Sequence, residues 1–492
     1  MTTTARTAAP TALAPAVKGT ITVLAVAAFV MILNETVLAV AMPQLMIDFG
    51  VDATAIQWLS TGFLLTMAVV IPTTGFLLQR FTVRALFTSA LVLFLAGSLI
   101  AALAPNFPVM LAARVVQAGG TAIIMPLLMT TTLTSVPPAR RGAIMGMNTI
   151  VIACAPAVGP TLSGAILGSV GWRWIFWMMV AIAAVTLPIG LTFIANGGEP
   201  RRAPLDVLSV VLSAFGFGGI VYALSGAEAA LRGAWIPTAI ALAVGAVGLV
   251  LFVARQRMLQ DRGASLLDLR PFSVPTFRYS VITVAIGFGL LLGSVVLLSM
   301  VLQHGLGMNS LEVGLLLLPA GLVQAVLAPF VGRAFDRVGP RPLVLPATVL
   351  LAVSMFALAF VSTSTPIWYV LLFNTLYGAG MAFVLTSLLT ASLSSLPRHL
   401  YGHGSAIMNT FQQLAGAAGT ALLVAAMTFG ASKATETGPA AEMAGARWAF
   451  LISGVLCLIA ILTATKIHPA AAESSRPESL VPVEDDDKVR IV

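Results

Sequence analysis

The sequence predicts an all-α membrane protein of fourteen transmembrane helices: two six-helix bundles related by an internal repeat, with two further helices between them. Three observations predict it. Of the 492 residues 59% are hydrophobic and 9% charged, and the mean hydropathy is +1.00, which leaves too little polar surface to enclose a water-soluble core. Apolar stretches recur at the roughly 20 residues that cross a hydrocarbon core of about 30 Å. Two separate motifs each occur twice, at nearly the same offset.

Residues 1–18, rich in Ala, Thr and Pro, read as a disordered cytoplasmic arm. The apolar segment that follows is longer than a signal-peptide core, so it is expected to be a retained first helix. Spans 19–42, 55–78, 84–103, 108–133, 142–168 and 174–195 make the first bundle, residues 19–196. Spans 206–226 and 234–254 are the additional pair, in residues 206–255, and 256–278 is a cytoplasmic linker. Spans 279–302, 311–332, 342–362, 366–393, 404–430 and 447–466 make the second bundle, residues 279–466, and 467–492 is an acidic cytoplasmic tail.

Loop charges check that count. Alternate loops carry Arg80 and Arg84; Arg140 and Arg141; Arg201 and Arg202; Arg255, Arg257, Arg262, Arg270 and Arg278; Arg333, Arg337 and Arg341; then Arg398. The intervening loops hold Arg173, Arg232, Lys433 and Arg447, fifteen cations against four. The bias places both termini in the cytoplasm and requires an even number of spans.

The repeat fixes the architecture. "QAGGTAIIMPLLMTTTLTSVPPARRGAIMGMNT" from Gln117 matches "YGAGMAFVLTSLLTASLSSLPRHLYGHGSAIMNT" from Tyr377, aligning Pro137 with Pro397 at an offset of 260. "GFLLQRFTVRALF" from Gly75 matches "GRAFDRVGPRPLV" from Gly332, offset 257. Six spans occupy about 200 residues, and the additional pair fills the excess. Parallel repeats with a site at their interface describe a secondary transporter that alternates between two accessible states.

Composition also excludes classes. With 26 Lys+Arg against 18 Asp+Glu the chain is basic, but the cations sit in short loops and read as topology signals, with no nucleic-acid partner expected. Two cysteines and four scattered histidines support neither a disulfide framework nor a metal site. No Walker loop is present, so an ATP-driven enzyme is not expected; no cofactor is either, with protons as the coupling ion.

The residues able to do chemistry are few. Of the 18 carboxylates only Glu35 lies well inside a span, where an ionised acid costs about 2.5 kcal/mol or more. Among the cations only Arg114 does so. Each is eight residues from the outer end of its helix, about 12 Å deep, so the two are expected to face each other or to share a polar cavity. A carboxylate poised between an arginine and a low-dielectric surrounding can load a proton from an acidic outer side and lose it inward. The position matching Arg114 in the second half is Asn374, as suits a coupling site needed once.

In "GRAFDRVGPR", Asp336 stands among Arg333, Arg337 and Arg341, with Gly332 and Gly339 permitting close approach; charge pairs there could latch neighbouring helices in one state. The first copy has Gln79 in place of the acid, with Arg80 and Arg84. On the fifth span, Ala155, Gly159 and Ser163 form a small-residue groove for helix packing, and Pro156 and Pro160 bend the helix. Trp58, Met145, Met147, Asn148, Gln324, Met408, Asn409, Gln412 and Gln413 are candidates for a mostly apolar, pliable cavity.

Together these residues resemble the major facilitator superfamily, specifically its fourteen-helix drug:proton antiporters, over essentially the whole chain from Lys18 to Lys466. "LNETVLAVAMP" resembles the family's first-helix motif, with Asn34 at the usual Asp position and Glu35 at the variable one, a displacement of about 100° around the helix. "RVVQAGG" resembles the fourth-helix motif, whose arginine, here Arg114, the family implicates in proton transfer. The fifth-helix stretch is similar to the antiporter motif, with Gly146, Gly159, Pro160 and Gly164 in place and Ala155 and Ser163 replacing glycines. "LNETVLAVAMP", "GFLLQRFTVRALF" and "LPRHLYGHGSAIMNTFQQLAG" resemble the lincomycin-resistance type of bacterial multidrug exporters. The resemblance implies proton-coupled efflux of small lipophilic molecules, cations and lincosamides among them, by a monomer in the bacterial inner membrane. The rival is a proton-linked symporter or uniporter for a small metabolite.

Overall fold

A computed structural model describes residues 14–194, 206–227, 230, 233, 235–260, 265–434 and 438–467. Fourteen long helices run through them: α1 Pro15–Phe49, α2 Ala53–Arg80, α3 Val83–Ala102, α4 Phe107–Ser135, α5 Arg141–Ser169, α6 Arg173–Phe193, α7 Val207–Ser225, α8 Trp235–Gln260, α9 Pro275–Met300, α10 Ser310–Val338, α11 Arg341–Leu358, α12 Ile367–Ser394, α13 Tyr401–Ser432 and α14 Pro439–Thr465. Thirteen are individually long and apolar enough to cross a membrane; α5 supplies the fourteenth crossing, bent by 42° between its segments 138–156 and 161–169. The bend falls where Pro156 and Pro160 remove donors from the helical ladder.

Local signals set the ends. Asp52, Thr82 and Asn106 cap α2, α3 and α4 by accepting from the backbone N–H three residues on, and Asn309 with Glu312 forms a capping box on α10. Several expected boundaries move, α8 running on to Gln260 and α10 to Val338. The first helix starts at Pro15, inside the segment assigned to the disordered arm, and residues 1–13 lie outside the described residues. α1 also continues through Pro43 to Phe49, held by the fully buried Leu45 and closed by Gly50 at φ 62°. α14 starts eight residues before 447, because Gly445 lets its first turns lie against the backbone of Met427 on α13. The linker's 261–264 and the tail's 468–492 lie outside the described residues.

α1–α6 enclose one apolar core, and α9–α14 form a second that takes in side chains of α7 and α8 and continues across the seam to Phe76 of α2, Leu133 of α4 and Met145 of α5. The halves meet chiefly through α5 on α10 and through α2 on α13. α7 lies against both α2 and α13, and α8 packs on α7. The α7–α8 contact is backbone on backbone: a Cβ on Gly219 would lie 2.7 Å from the Gly245 Cα, and one on Gly216 2.8 Å from the Leu249 nitrogen. Six of the seven tryptophans lie in turns or the first two turns of helices remote from the arginine-rich loops, and Trp448 lies ten residues into α14 from that same end, as suits an interfacial aromatic belt.

A clamp closes the arginine-rich end of the α7–α8 pair. Arg255 donates twice to Asp206, at 2.6 and 2.7 Å, and Gln256 Nε2 donates to Ser209 Oγ at 2.6 Å. These Arg255 bonds hold the Asp206 carboxyl below the usual carboxylate range. A depressed folded value means that the clamp stabilises above the unfolded carboxylate range, about pH 4, and is lost as pH falls through the folded value. Asp206→Asn is therefore expected to lower Tm slightly at pH 7 and to converge with the wild type in acid, as read by thermal unfolding in detergent across pH.

Candidate functional site

Asn34 and Glu35 are neighbours on α1, about 100° apart around the helix, and that turn sends them to different places. Asn34, 1% exposed, faces the interior of the first bundle, where its Nδ2 donates to Gln117 Oε1 at 3.4 Å. The same oxygen accepts from Arg114 Nη1 at 2.9 Å, and Arg114 Nε donates to the Leu59 carbonyl at 3.4 Å. The guanidinium lies 4.1 Å from the Phe63 ring centroid, and Gln117 Nε2 donates to Ser98 Oγ at 2.9 Å. Glycine makes this possible: a Cβ on Gly97 would lie 2.7 Å from Gln117 Cγ, so α3 and α4 approach closely enough to hold Gln117 on Ser98.

Glu35 takes no part in that network. It lines a cavity of about 270 Å³ between the halves, with Leu64 of α2, Leu224 and Ser225 of α7, Leu292 of α9, and Gln413 and Thr420 of α13. The expectation of a facing pair is corrected: Arg114 is bound inside the first bundle and Glu35 faces the space between bundles, with no ion pair between them. The physical reason is the single-residue shift of the acid relative to the asparagine.

Among the cavity candidates, Gln413 lines this cavity, its Nε2 reaching Met67 Sδ at 3.6 Å. The others do not. Met145, Asn148, Gln324, Met408 and Gln412 are buried, Asn148 donating to Thr132 Oγ1 at 2.9 Å. Asn409 donates back to the Ser405 carbonyl, Met147 is 55% exposed, and Trp58 packs on Tyr222 of α7 with ring centroids 5.8 Å apart. Polarity and pliability marked these side chains in the sequence; which helix face turns inward was decided by packing.

The arginine-rich end is closed. Asp336, in the last turn of α10, accepts the N–H of Gly142 at 2.7 Å and of Ala143 at 2.9 Å, capping α5 of the opposite half. This corrects the expected latch of charge pairs: none of Arg333, Arg337 and Arg341 pairs with Asp336 among the described residues. Arg333 folds over the Phe330 ring and donates to the Pro329 carbonyl; Gly339, at φ 76°, ends α10 before Arg341 opens α11. Gly332 and Gly142 meet backbone to backbone, and a Cβ on Gly332 would lie 2.7 Å from the Gly142 carbonyl carbon.

The repeat builds the same contact on the other side with different chemistry. Gln79, matching Asp336, donates to the His399 carbonyl at 3.2 Å and meets His403 Nε2 at 2.8 Å on α13. Arg80 lies 6.0 Å from the Phe76 ring centroid, and Arg84 sits in the first turn of α3. Arg141 and Tyr401, equivalent positions of the two halves, meet each other at 3.1 Å. The segment before α9 is tied in as well: Leu267 N–H donates to Gln256 of α8 and Asp268 N–H to His403 Nδ1.

α5 joins the two regions. Gly146 packs on the α10 backbone, a Cβ there lying 3.0 Å from the Ala328 carbonyl carbon. Further along, a Cβ on Gly159 would lie 2.9 Å from the Cβ of Thr36, beside Glu35; Thr36 Oγ1 donates to the Ala155 carbonyl, and Ser163 Oγ to the Val37 carbonyl at 2.8 Å. Gly164 has open space around it. Sequence reasoning quoted Gln117 without a role and missed His403 and Tyr401. The signal for Gln117 was its place one helical turn after Arg114; contacts between the halves leave no such local trace.

Asp336→Ala would leave two N–H groups without their acceptor, a cost of about 0.5–2 kcal/mol. The expected result is faster hydrogen exchange at Gly142 and Ala143 and an arginine-rich end that opens about two- to thirtyfold more often.

The sequence model of the Major Facilitator Superfamily matches residues 24–420. The chain is 38% identical over 451 residues to the lincomycin resistance protein LmrB of Bacillus subtilis, covering 90% of this chain and 94% of that one. It is also 38% identical over 443 residues to the uncharacterized MFS-type transporter YcnB of the same organism, covering 89% and 93%. Among solved structures, the human organic anion transporter MFSD10 superposes with a TM-score of 0.68 at 15% identity, over 92% of this chain and 100% of that one.

Proposed function

Since this chain belongs to the major facilitator superfamily and is a membrane transporter rather than an enzyme, we propose that it exports lipophilic drugs or antibiotics in exchange for protons. The observation that carries this reading is the placement of Glu35: a carboxylate in the cavity between the halves, with the nearby cation held behind it in the first bundle. An acid there can hold a proton or a cationic substrate, and either changes the charge at the seam that must open and close.

The relatives' printed names favour antibiotic substrates, lincosamides first. In this reading the arginine-rich loops, and with them the closed end, face the cytoplasm across a bacterial inner membrane. The cavity lies in the opposite half, as suits an acid that loads its proton from outside. Protonation of Glu35 from that side displaces substrate outward. The charge change reaches the latch through α5, which packs on Thr36 and Val37 at one end and on α10 at the other. Each net charge moved inward contributes about 2.3 kcal/mol per 100 mV.

The test is efflux of ethidium or lincomycin from proteoliposomes of purified protein under an imposed pH gradient. Export is expected to follow the gradient and to stop when a protonophore collapses it. Accumulation driven in the direction of proton flow would replace export with symport.

A further inference from the structure

We propose that the apolar groove between α2 and the α7–α8 pair is a second binding site, holding the lipophilic substrate as it passes between the Glu35 cavity and the outer leaflet. The proposal rests on the export reading and supplies its route.

The groove is a shallow, laterally open depression of about 560 Å³ lined by Leu65 and Val69 of α2, Gly218 and Tyr222 of α7, and Ile240 and Val244 of α8. That volume lies within the range of pockets for drug-sized ligands. Tyr222 is the one lining residue with a polar side-chain atom. From Ile236 to Val244 the lining descends about 12 Å along α8, close to the thickness of one leaflet. An opening at that depth meets hydrocarbon, so its occupant is apolar over most of its surface.

Continuity with the central cavity identifies the occupant as substrate. On α2, Leu64 lines the central cavity and the next residue, Leu65, lines the groove. On α7, Tyr222 lines the groove while Leu224 and Ser225 line the cavity. The α2–α7 seam is therefore the partition between the two spaces, and the Trp58 and Tyr222 rings face each other across it. Such aromatic faces suit flat or cationic molecules.

The two sides of α7 also differ in stiffness. Toward α8 the contact is backbone on backbone, at Gly216 and Gly219 against Gly245 and Gly248. Toward α2 at Gly218 it is a side chain, Leu65, and a Cβ on Gly218 would lie 3.6 Å from its Cδ2, an ordinary contact. The hairpin keeps its own geometry while its seam with α2 yields by rotation of side chains.

The test is photolabelling in nanodiscs with a diazirine derivative of tetraphenylphosphonium, mapped by peptide mass spectrometry, beside ethidium efflux. Labels are expected on groove residues of α2, α7 and α8, competed by excess unlabelled tetraphenylphosphonium. Gly218→Leu, and independently Ala241→Leu at the α8 residue that also lines the groove, are expected to reduce groove labelling and efflux at least fivefold while labelling near Glu35 persists. Labels confined to the Glu35 cavity, or unchanged efflux in both variants, would overturn the proposal and leave proton-driven export standing. Groove labels that competitor does not displace, matched by a diazirine phospholipid, would make the site a lipid seat and also overturn it. If the wild type shows no proton-dependent efflux, the export reading itself fails, and the labelling still decides whether the groove binds.

Discussion

Replacing Glu35 with glutamine is expected to abolish gradient-driven efflux while substrate binding and gradient-independent exchange persist. Glutamine keeps the size and hydrogen-bonding capacity of the protonated acid and cannot ionise. Because Glu35 forms no ion pair with Arg114, the substitution removes no structural bond, and the Asn34–Gln117–Arg114 network stays intact. A loss of at least a hundredfold in concentrative transport, with expression and thermal stability unchanged, assigns Glu35 to proton coupling. Matched measurements on Arg114→Gln separate the roles: that variant breaks bonds to Gln117 and Leu59 and leaves Phe63 without its cation, so it is expected to lose stability as well as transport. Full gradient-driven efflux by Glu35→Gln would remove the acid from the coupling mechanism.

Much of the architecture was legible in the chain, since spans of fixed length and loops of alternating charge are imposed by the bilayer rather than by tertiary contacts. The all-helical family fold follows from them together with the repeat. The site was legible by residue type: an acid and an arginine inside apolar spans announce themselves by what burying a charge costs. Their mutual geometry was not. Glu35 and Asn34 differ by one position, and only the packing of α1 on α4 shows that the amide faces Arg114 and the acid faces the seam. The latch was misread for the same reason. Asp336 has three arginines within five residues in sequence, yet its partners are two backbone N–H groups nearly 200 positions away, on a helix end that carries no sequence mark of being an acceptor's target.

The helix contact beside that latch gives the second large effect: Gly332→Ala is expected to hold the arginine-rich end open and to reduce transport at least fivefold without unfolding either half. A Cβ on Gly332 meets the backbone of Gly142 and Ala143, which cannot rotate away as a side chain would, so α5 and α10 must separate. Overpacking of this kind costs about 1–3 kcal/mol, enough to shift a two-state equilibrium roughly five- to a hundredfold. The strain falls at the α5–α10 contact, while most of the apolar core of each bundle lies away from it. Gly164→Ala is the control: it lies on the same small-residue stretch of α5 with nothing within 4 Å of the added carbon, and wild-type transport is expected. In a background with Cys154 and Cys457 replaced by serine, a cysteine at Ser405 reports the gap, since its hydroxyl sits 3.1 Å from Thr130 across the seam. Faster alkylation of that cysteine by a maleimide in Gly332→Ala, and not in Gly164→Ala, ties the loss of transport to an arginine-rich end that cannot close. Equal alkylation in both would place the function of the glycine contact elsewhere.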